Sequence, residues 1–427
     1  MTEETFRSTI DRATALMRRC DELNAFTSSE GQLTRLYGTL ALRGAIDQVA
    51  RWMEAAGMIV SIDHVGNLVG VYEADSNVPQ PRTFIIGGHL DSVKNAGRYD
   101  GPLGVLCGVA FIKGLAARDK RLPFHVQVIA FADEEGVRFH TTYLGSRTLA
   151  GTLSPEALTL TDEDGVALSA AIREFGGDPD KLSENRRDPG DLLGFIEVHI
   201  EQGPILERRD VPVGVVSAIA GATRVSAGFT GIAGHAGTVP MDLRRDALPA
   251  AAEFVLAVER IVSGEEGLVG TVGQLIVSPG ASNVIAGHVE TTLDLRHPNE
   301  TLRATIARQI EMELHAIGNR RKIETQWTEV QGYATVECDL DLMSRLIDAI
   351  ADEGFEPLQL ASGAGHDAVA LSEITPVSML FVRCEGGVSH NPAESITVED
   401  VEVAIRVLDR FMFGIVGSVA SSFQFDE

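Results

Sequence analysis

The sequence holds only four cysteines, Cys20, Cys107, Cys338 and Cys384, and no two of them form a CxxC pair. That excludes a thiolate zinc framework and points to free thiols in a reducing compartment. Basic residues are outnumbered, 36 against 61 acidic ones, for a formal charge of −25. Such a balance counts against nucleic acid or an anionic membrane as a partner. A small anionic substrate stays open, because a few local cations dominate inside a pocket. The opening Met1-Thr2-Glu3-Glu4 carries no basic flank and leads into no apolar run of signal-peptide or membrane-span length, so a cytoplasmic location is the expectation. Repeats, low-complexity segments and long linkers are missing too. What is present, 427 residues with 44% hydrophobic content, exceeds what one core usually organises, since single cores stop growing near ~250 residues.

Apolar residues at helical spacing (Ile10, Ala13, Leu16, Met17, then Leu42, Ile46, Val49, Met53) predict two amphipathic helices within residues 4–56. Short β-rich runs follow at Ile59–His64, Leu68–Tyr72, Phe84–Gly88 and Val126–Ala132, with a helix over Leu103–Ala117 between the last two. A strand-helix-strand unit of this kind implies a parallel pair, and ligands gather where such strands end. From Arg224 to Val330 the pattern changes to strand, helix, two strands, helix, strand: Arg224–Gly231, Ala247–Val262, Gly270–Val277, Val289–Arg296, Leu302–Ile317 and Lys322–Thr328. This looks like a small α+β layer inserted into a larger domain. The first pattern resumes with helix Leu340–Ala351, strand Val377–Val382 and helix Val398–Phe413.

The chemistry-bearing motifs sit at strand ends. Gly87-Gly88-His89-Leu90-Asp91-Ser92-Val93 places an imidazole and a carboxylate two residues apart, on the same side of an extended chain. That spacing suits a ligating histidine with an acid nearby to orient its ring. Asp100, in Arg98-Tyr99-Asp100-Gly101-Pro102, can bridge two cations or simply cap the following helix. Asp133-Glu134-Glu135 is either a solvated turn or a ligand beside a group that takes a proton from water. His199 stands in the apolar alternation Glu197-Val198-His199-Ile200-Glu201, where a satisfied core histidine is the alternative, and His390 stands in the glycine-rich loop Gly386-Gly387-Val388-Ser389-His390. Singly, each motif has a bland explanation. Together, three histidines and two or three carboxylates at the ends of apolar strands make the N/O donor set that zinc, manganese or cobalt accept.

At this point the sequence resembles the dinuclear metallohydrolases that include aminoacylases and carboxypeptidase-like exopeptidases. Within them it is similar to the branch of N-carbamoyl-L-amino-acid hydrolases, β-ureidopropionases and allantoate amidohydrolases. The resemblance spans nearly the whole chain and rests on Gly88-His89-Leu90-Asp91-Ser92-Val93, Tyr99-Asp100-Gly101, Asp133-Glu134-Glu135-Gly136-Val137-Arg138-Phe139, His199-Ile200-Glu201-Gln202-Gly203-Pro204, Gly234-His235-Ala236-Gly237, Ser282-Asn283-Val284-Ile285, Asp294-Leu295-Arg296 and Ser389-His390-Asn391-Pro392. It implies an α/β fold: a mixed-sheet catalytic domain, residues 1–216 and 331–427, plus an inserted α+β (ferredoxin-like) dimerisation or lid domain, residues 217–330. It also implies two divalent cations per chain (Zn2+, or Mn2+/Co2+). One would be held by His89, Asp100 and His199, the other by Asp100, Glu135 and His390, with Glu134 as general base and Asp91 orienting His89.

The same resemblance implies a homodimer in which His235 acts across the interface, and a small ureido-carboxylate substrate. Alternation along Val289–Arg296 puts Arg296 on the polar face, free for a two-pronged bond to a carboxylate or paired with Asp294. Asn283, by itself a turn former, joins Arg296 as a carboxylate binder by resemblance. Gln202 and Gly365, the latter in Gly363-Ala364-Gly365-His366-Asp367, would line the pocket; His366 is a structural loop histidine or a further participant. A carboxylate stands where His199 is in aminoacylase-like relatives, which counts against an aminoacylase or dipeptidase. The expected reaction is hydrolysis of a ureido carbonyl, with allantoate favoured and N-carbamoyl-L-amino acids or β-ureidopropionate as alternatives.

Overall fold

The computed structural model describes residues 3–422 and divides into two compact units. The first, Met1–Ser217 with Cys338–Leu360 and Gly365–Glu427, is built on a mixed sheet. From one edge its strands are Ile59–Ile62, Leu68–Tyr72, His125–Phe131, Thr83–His89, Leu192–Ile200, Val377–Val382 and Val213–Ile219. The four strands from His125–Phe131 to Val377–Val382 are mutually parallel, and their neighbours on both sides run antiparallel. All seven residues of Thr83–His89 and all six of Val377–Val382 are buried, as expected of parallel strands covered on both faces. The polar-apolar alternation around His199 is for this reason not matched by alternating burial: in Leu192–Ile200 polar Glu197 and His199 are as buried as their apolar neighbours.

Helices Glu3–Leu23, Pro102–Ala116, Leu340–Asp352 and Val398–Ser422 pack with one another and on the sheet. Phe84 and Phe411 meet edge to face at 5.8 Å in this core, each burial worth roughly 1.5–3 kcal/mol. Helix Pro102–Ala116 begins with proline at its first turn, where the missing N–H has no partner to lose. Gly101 before it has φ 85, and a Cβ there would come within 2.5 Å of the His89 ring. Only glycine lets this helix start against the end of strand Thr83–His89.

The second unit, Ala218–Glu337 with Ala361–Ala364, carries a four-stranded antiparallel sheet in the order Glu324–Tyr333, Gly221–Thr230, His288–His297, Val269–Ser278. Helices Ala247–Val262 and Glu300–Arg321 complete a βαββαβ chain, and a 4-1-3-2 strand order makes the unit ferredoxin-like. Its core gathers Phe229, Phe254, Val289, Leu293, Leu295, Ile310 and Leu314. Strand His288–His297 alternates as its sequence predicts, with Val289, Thr291, Leu293 and Leu295 buried. Strand Glu324–Tyr333 outlasts its expected end at Thr328, because its last residues are polar or exposed and carry no apolar signal. Among the described residues no helix is long and apolar enough to cross a membrane.

Candidate metal centre

Four parallel strands ending side by side bring distant sequence motifs together. His89 closes Thr83–His89; Glu134 and Glu135 follow His125–Phe131; His199 lies one residue before the end of Leu192–Ile200; Ser389 and His390 follow Val377–Val382. Asp100 comes from the loop leading into helix Pro102–Ala116. This is the carboxyl-end crevice where open α/β sheets take their ligands.

Asp100 is the centre of the arrangement. Its Oδ1 lies 3.5 Å from His89 Nε2 and 3.0 Å from His199 Nε2, and its Oδ2 lies 3.1 Å from His390 Nε2, which is 3.6 Å from Glu135 Oε1. One carboxylate therefore serves two donor groups, His89-Asp100-His199 and Asp100-Glu135-His390. Burial works most strongly against charge on His89 and His199, but hydrogen bonding to Asp100 and the charges of the surrounding carboxylates together raise both above the usual imidazole value. Burial likewise opposes charge on Asp100, but His199, His390 and His89 hold it well below the ordinary carboxylate range. Glu134 is pushed well up by burial, and Glu135 to about 7 by burial and then by Asp100.

The donor set fits divalent cations on its own chemistry. His89 Nδ1 lies 3.1 Å from the Asp91 carbonyl and His199 Nδ1 2.9 Å from that of Ile200, so each ring gives its Nδ1 proton to the backbone. With Nδ1 engaged by the backbone, each Nε2 faces a carboxylate oxygen, an arrangement that needs either a proton or a cation between them, and a divalent cation can take the place of both protons. Tetrahedral ligands bound at about 2.0–2.1 Å lie roughly 3.3–3.4 Å apart, and the distances above scatter about that separation.

Asp91 departs from its expected role. Its carboxylate is 3.7 Å from His89 Nδ1, farther than its own backbone oxygen, and instead accepts the N–H groups of Glu134 (3.2 Å) and Glu135 (3.1 Å). The backbone of residue 91 orients the ring while its side chain braces the acidic turn. That turn needs bracing, because Asp133 adopts φ 50, a region costly for residues other than glycine. Glu134 Oε2 stands 4.0 Å from His89 Nε2, beside the donor groups and outside both.

Gln202 donates from Nε2 to Asp100 Oδ2 at 2.9 Å, and its buried Oε1 has no hydrogen-bond partner. Gly365 faces Tyr143 so closely that a Cβ would lie 1.7 Å from the phenol oxygen. His366, left open by the sequence, is buried edge-on against His199 at 4.6 Å between ring centroids, and burial first, then His199, holds its pKa well down. In the second unit His235 is exposed on a two-residue strand paired with Val284–Ile285. Asn283 lies beside it, its carbonyl accepting the Ala236 N–H at 3.0 Å. Arg296 grips both oxygens of Asp294 at 2.8 and 2.9 Å and donates to the Gly363 carbonyl at 2.7 Å.

Sequence reasoning missed Glu394 and gave Ser389 no role. Ser389 Oγ lies 2.9 Å from Asp100 Oδ2 and 3.3 Å from Glu394 Oε2. Glu394 follows Asn391-Pro392-Ala393, a turn-like run in which a buried acid looks the same as a solvated one.

The chain matches the family described as Peptidase family M20/M25/M40 over residues 85–413. It is similar to an N-carbamoyl-L-amino acid amidohydrolase of Geobacillus stearothermophilus, 42% identical over 378 residues, which cover 88% of this chain and 92% of that protein. It is also similar to a probable allantoate deiminase of Oryza sativa subsp. japonica, 39% identical, covering 92% of this chain and 87% of the relative. Among solved structures, an amidase of the hydantoinase/carbamoylase family from Burkholderia multivorans superposes with a TM-score of 0.87 at 31% identity, covering 95% of this chain and 98% of that one.

Proposed function

The chain belongs to peptidase family M20/M25/M40, metal-dependent hydrolases of C–N bonds, and on that premise we propose that it cleaves the ureido C–N bond of a small carboxylate, allantoate first among them. The observation that carries this is Asp100, whose two oxygens face two separate donor groups. His89, Asp100 and His199 would hold one divalent cation and Asp100, Glu135 and His390 another, Zn2+ or Mn2+/Co2+ by the N/O character of the donors. When bound, such cations polarise a carbonyl and make water a stronger acid, which a ureido carbonyl needs because it is a poor electrophile.

The remaining work falls to the chain's own side chains. Glu134 takes the proton of the attacking water and returns it to the leaving nitrogen, held in place by the bond from its N–H to Asp91. Gln202 offers its unpartnered Oε1 to a substrate N–H. His235, exposed on its own unit, would reach the site of a second protomer and donate to the oxyanion. The carbamoyl group leaves as ammonia and carbon dioxide. Mixing inactive His235→Ala and Glu134→Gln chains should restore partial ammonia release, because one hybrid site is then intact. If subunits exchange and no activity returns, His235 acts within its own chain or not at all.

Arg296 reads the substrate carboxylate in this scheme. Asp294 and the Gly363 carbonyl hold the guanidinium in place, so an acid substrate would share or displace one of these contacts, and in a chain of net charge −25 a local cation is needed to capture an anion. Lysine cannot reproduce the fork, so Arg296→Lys should lower kcat/KM by about 1.5–3 kcal/mol with metal content unchanged. Equal kcat/KM for the acid in variant and parent would place the carboxylate elsewhere.

The alternative substrate, an N-carbamoyl-L-amino acid, is favoured by the Geobacillus relative. Ammonia release by the metal-loaded protein from allantoate and from several N-carbamoyl-L-amino acids, compared as kcat/KM, decides between the two; a higher value for any carbamoyl amino acid overturns the allantoate assignment.

A further inference from the structure

Glu394 lies outside every motif that pointed to chemistry, yet all its hydrogen bonds converge on one side of the metal centre. The carboxylate is 2% exposed. Its Oε1 accepts the N–H of Tyr99 at 2.7 Å and of Asp100 at 3.2 Å, and its Oε2 lies 3.3 Å from Ser389 Oγ. That hydroxyl is in turn 2.9 Å from Asp100 Oδ2, the oxygen that faces His390 Nε2 at 3.1 Å. Gly97 packs so flat against the acid that a Cβ there would come 2.2 Å from Glu394 Cδ. Tyr99 adjoins Asp100 and Ser389 adjoins His390, so each partner is a member of the Asp100-Glu135-His390 group or its chain neighbour.

We infer that Glu394 is a positioning residue that fixes Asp100 Oδ2 for the cation held with Glu135 and His390. The inference rests on the two-cation assignment made above. A buried carboxylate that accepts two consecutive backbone N–H groups sets the peptide planes on either side of Tyr99, and with them the direction of the Asp100 side chain. Because Glu394 stands on the same loop as His390, these bonds also tie that loop to the loop bearing Asp100, 294 residues away along the chain. The His89-His199 pair depends less on such help, because the His89 ring is held by the carbonyl of Asp91 just beyond its strand and the His199 ring by that of Ile200 on its own strand. Loss of Glu394 therefore weakens the cation of Glu135 and His390 more than the other, which shares Asp100 but keeps two independently anchored rings.

The test uses the full-length, metal-loaded protein, with Mn2+ as probe. Cation content after dialysis is measured for the parent, Glu394→Ala and Glu394→Gln, and affinities are measured by competition with a chromophoric chelator. In Glu394→Ala one of two cations should bind about 10- to 100-fold more weakly, the usual loss when a ligand's supporting partner is removed. Glu394→Gln keeps an acceptor oxygen for the Tyr99 and Asp100 N–H groups and should restore most of that affinity, a rescue that a loss of charge or general core damage would not give. Two cations at parental affinity in Glu394→Ala, or equal weakening of both, overturns the inference while leaving the two-cation assignment standing. A parent that holds a single cation under every loading condition overturns both. If Glu394→Ala does not fold, Glu394→Asp shortens the reach to the Tyr99 and Asp100 N–H groups, and an unchanged affinity for both cations in that variant overturns the inference equally.

Discussion

Glu134→Gln lowers ammonia release by about 10²- to 10⁴-fold, the range for loss of a general base, and leaves the cation content of the protein unchanged. The separation of the two effects follows from position. Glu134 stands outside both donor groups, 4.0 Å from the nearest ligand nitrogen, so its charge is not needed to hold a cation. Its backbone is fixed by Asp91, an anchor that the isosteric amide leaves untouched. Glutamine fills the same space but cannot take a proton from water. The neighbouring change Glu135→Gln behaves differently, because Glu135 Oε1 belongs to the group with Asp100 and His390; it should lose a cation together with activity. Equal metal loss in both variants would mean that Glu134 is a ligand, and the division of labour between the two acids would be wrong.

Asp100→Asn is expected to be more damaging still, and asymmetrically so. Around Oδ2 the fixed neighbours are donors, Gln202 Nε2 at 2.9 Å and Ser389 Oγ at 2.9 Å, so an amide settles with its oxygen on that side. Its NH2 then points at the Nε2 lone pairs of His89 and His199 and hydrogen-bonds to them in place of a cation. The variant should keep the cation of Glu135 and His390 at reduced affinity and lose the other. Several kcal/mol of transition-state stabilisation would go with it, roughly 10³-fold or more in rate. Metal analysis combined with a crystal structure of the variant checks the direction of the loss. Retention of the His89-His199 cation would show that Asp100 is not the shared ligand.

The candidate donors other than Asp100 were legible as a group because each follows or ends a strand with an apolar run. Thr83–His89 and Val377–Val382 carry the apolar runs Phe84-Ile85-Ile86 and Met379-Leu380-Phe381-Val382, and a histidine or acid at or after the end of such a run falls at the carboxyl end of the sheet. The second unit was legible through the period-two pattern of His288–His297, one face of which is buried. Where both faces are buried the pattern vanishes, and so Glu197, wholly buried in the strand of His199, gave no signal. Helices of seven residues such as Leu144–Ala150 and Leu168–Glu174 are too short to show a helical period. Side-chain partners were the least accessible. The sequence left Arg296 free or paired with Asp294, and the pairing is present; it assigned Asp91 to the His89 ring, whereas the carboxylate turns to the backbone of Glu134 and Glu135. Such choices depend on which N–H groups the fold leaves nearby, which local sequence does not encode.

The most direct measurement compares two carbonyl types on one carrier: metal-loaded protein is given an N-carbamoyl and an N-acetyl form of the same amino acid, with allantoate alongside, and ammonia and free amine are followed before and after chelation. Hydrolysis of allantoate or the carbamoyl compound, abolished by the chelator and restored by added divalent cation, with the acetyl compound intact, is the result expected of a ureido hydrolase. Cleavage of the acetyl compound while both ureido compounds remain intact would contradict it and return the chain to the acyl-cleaving side of its family.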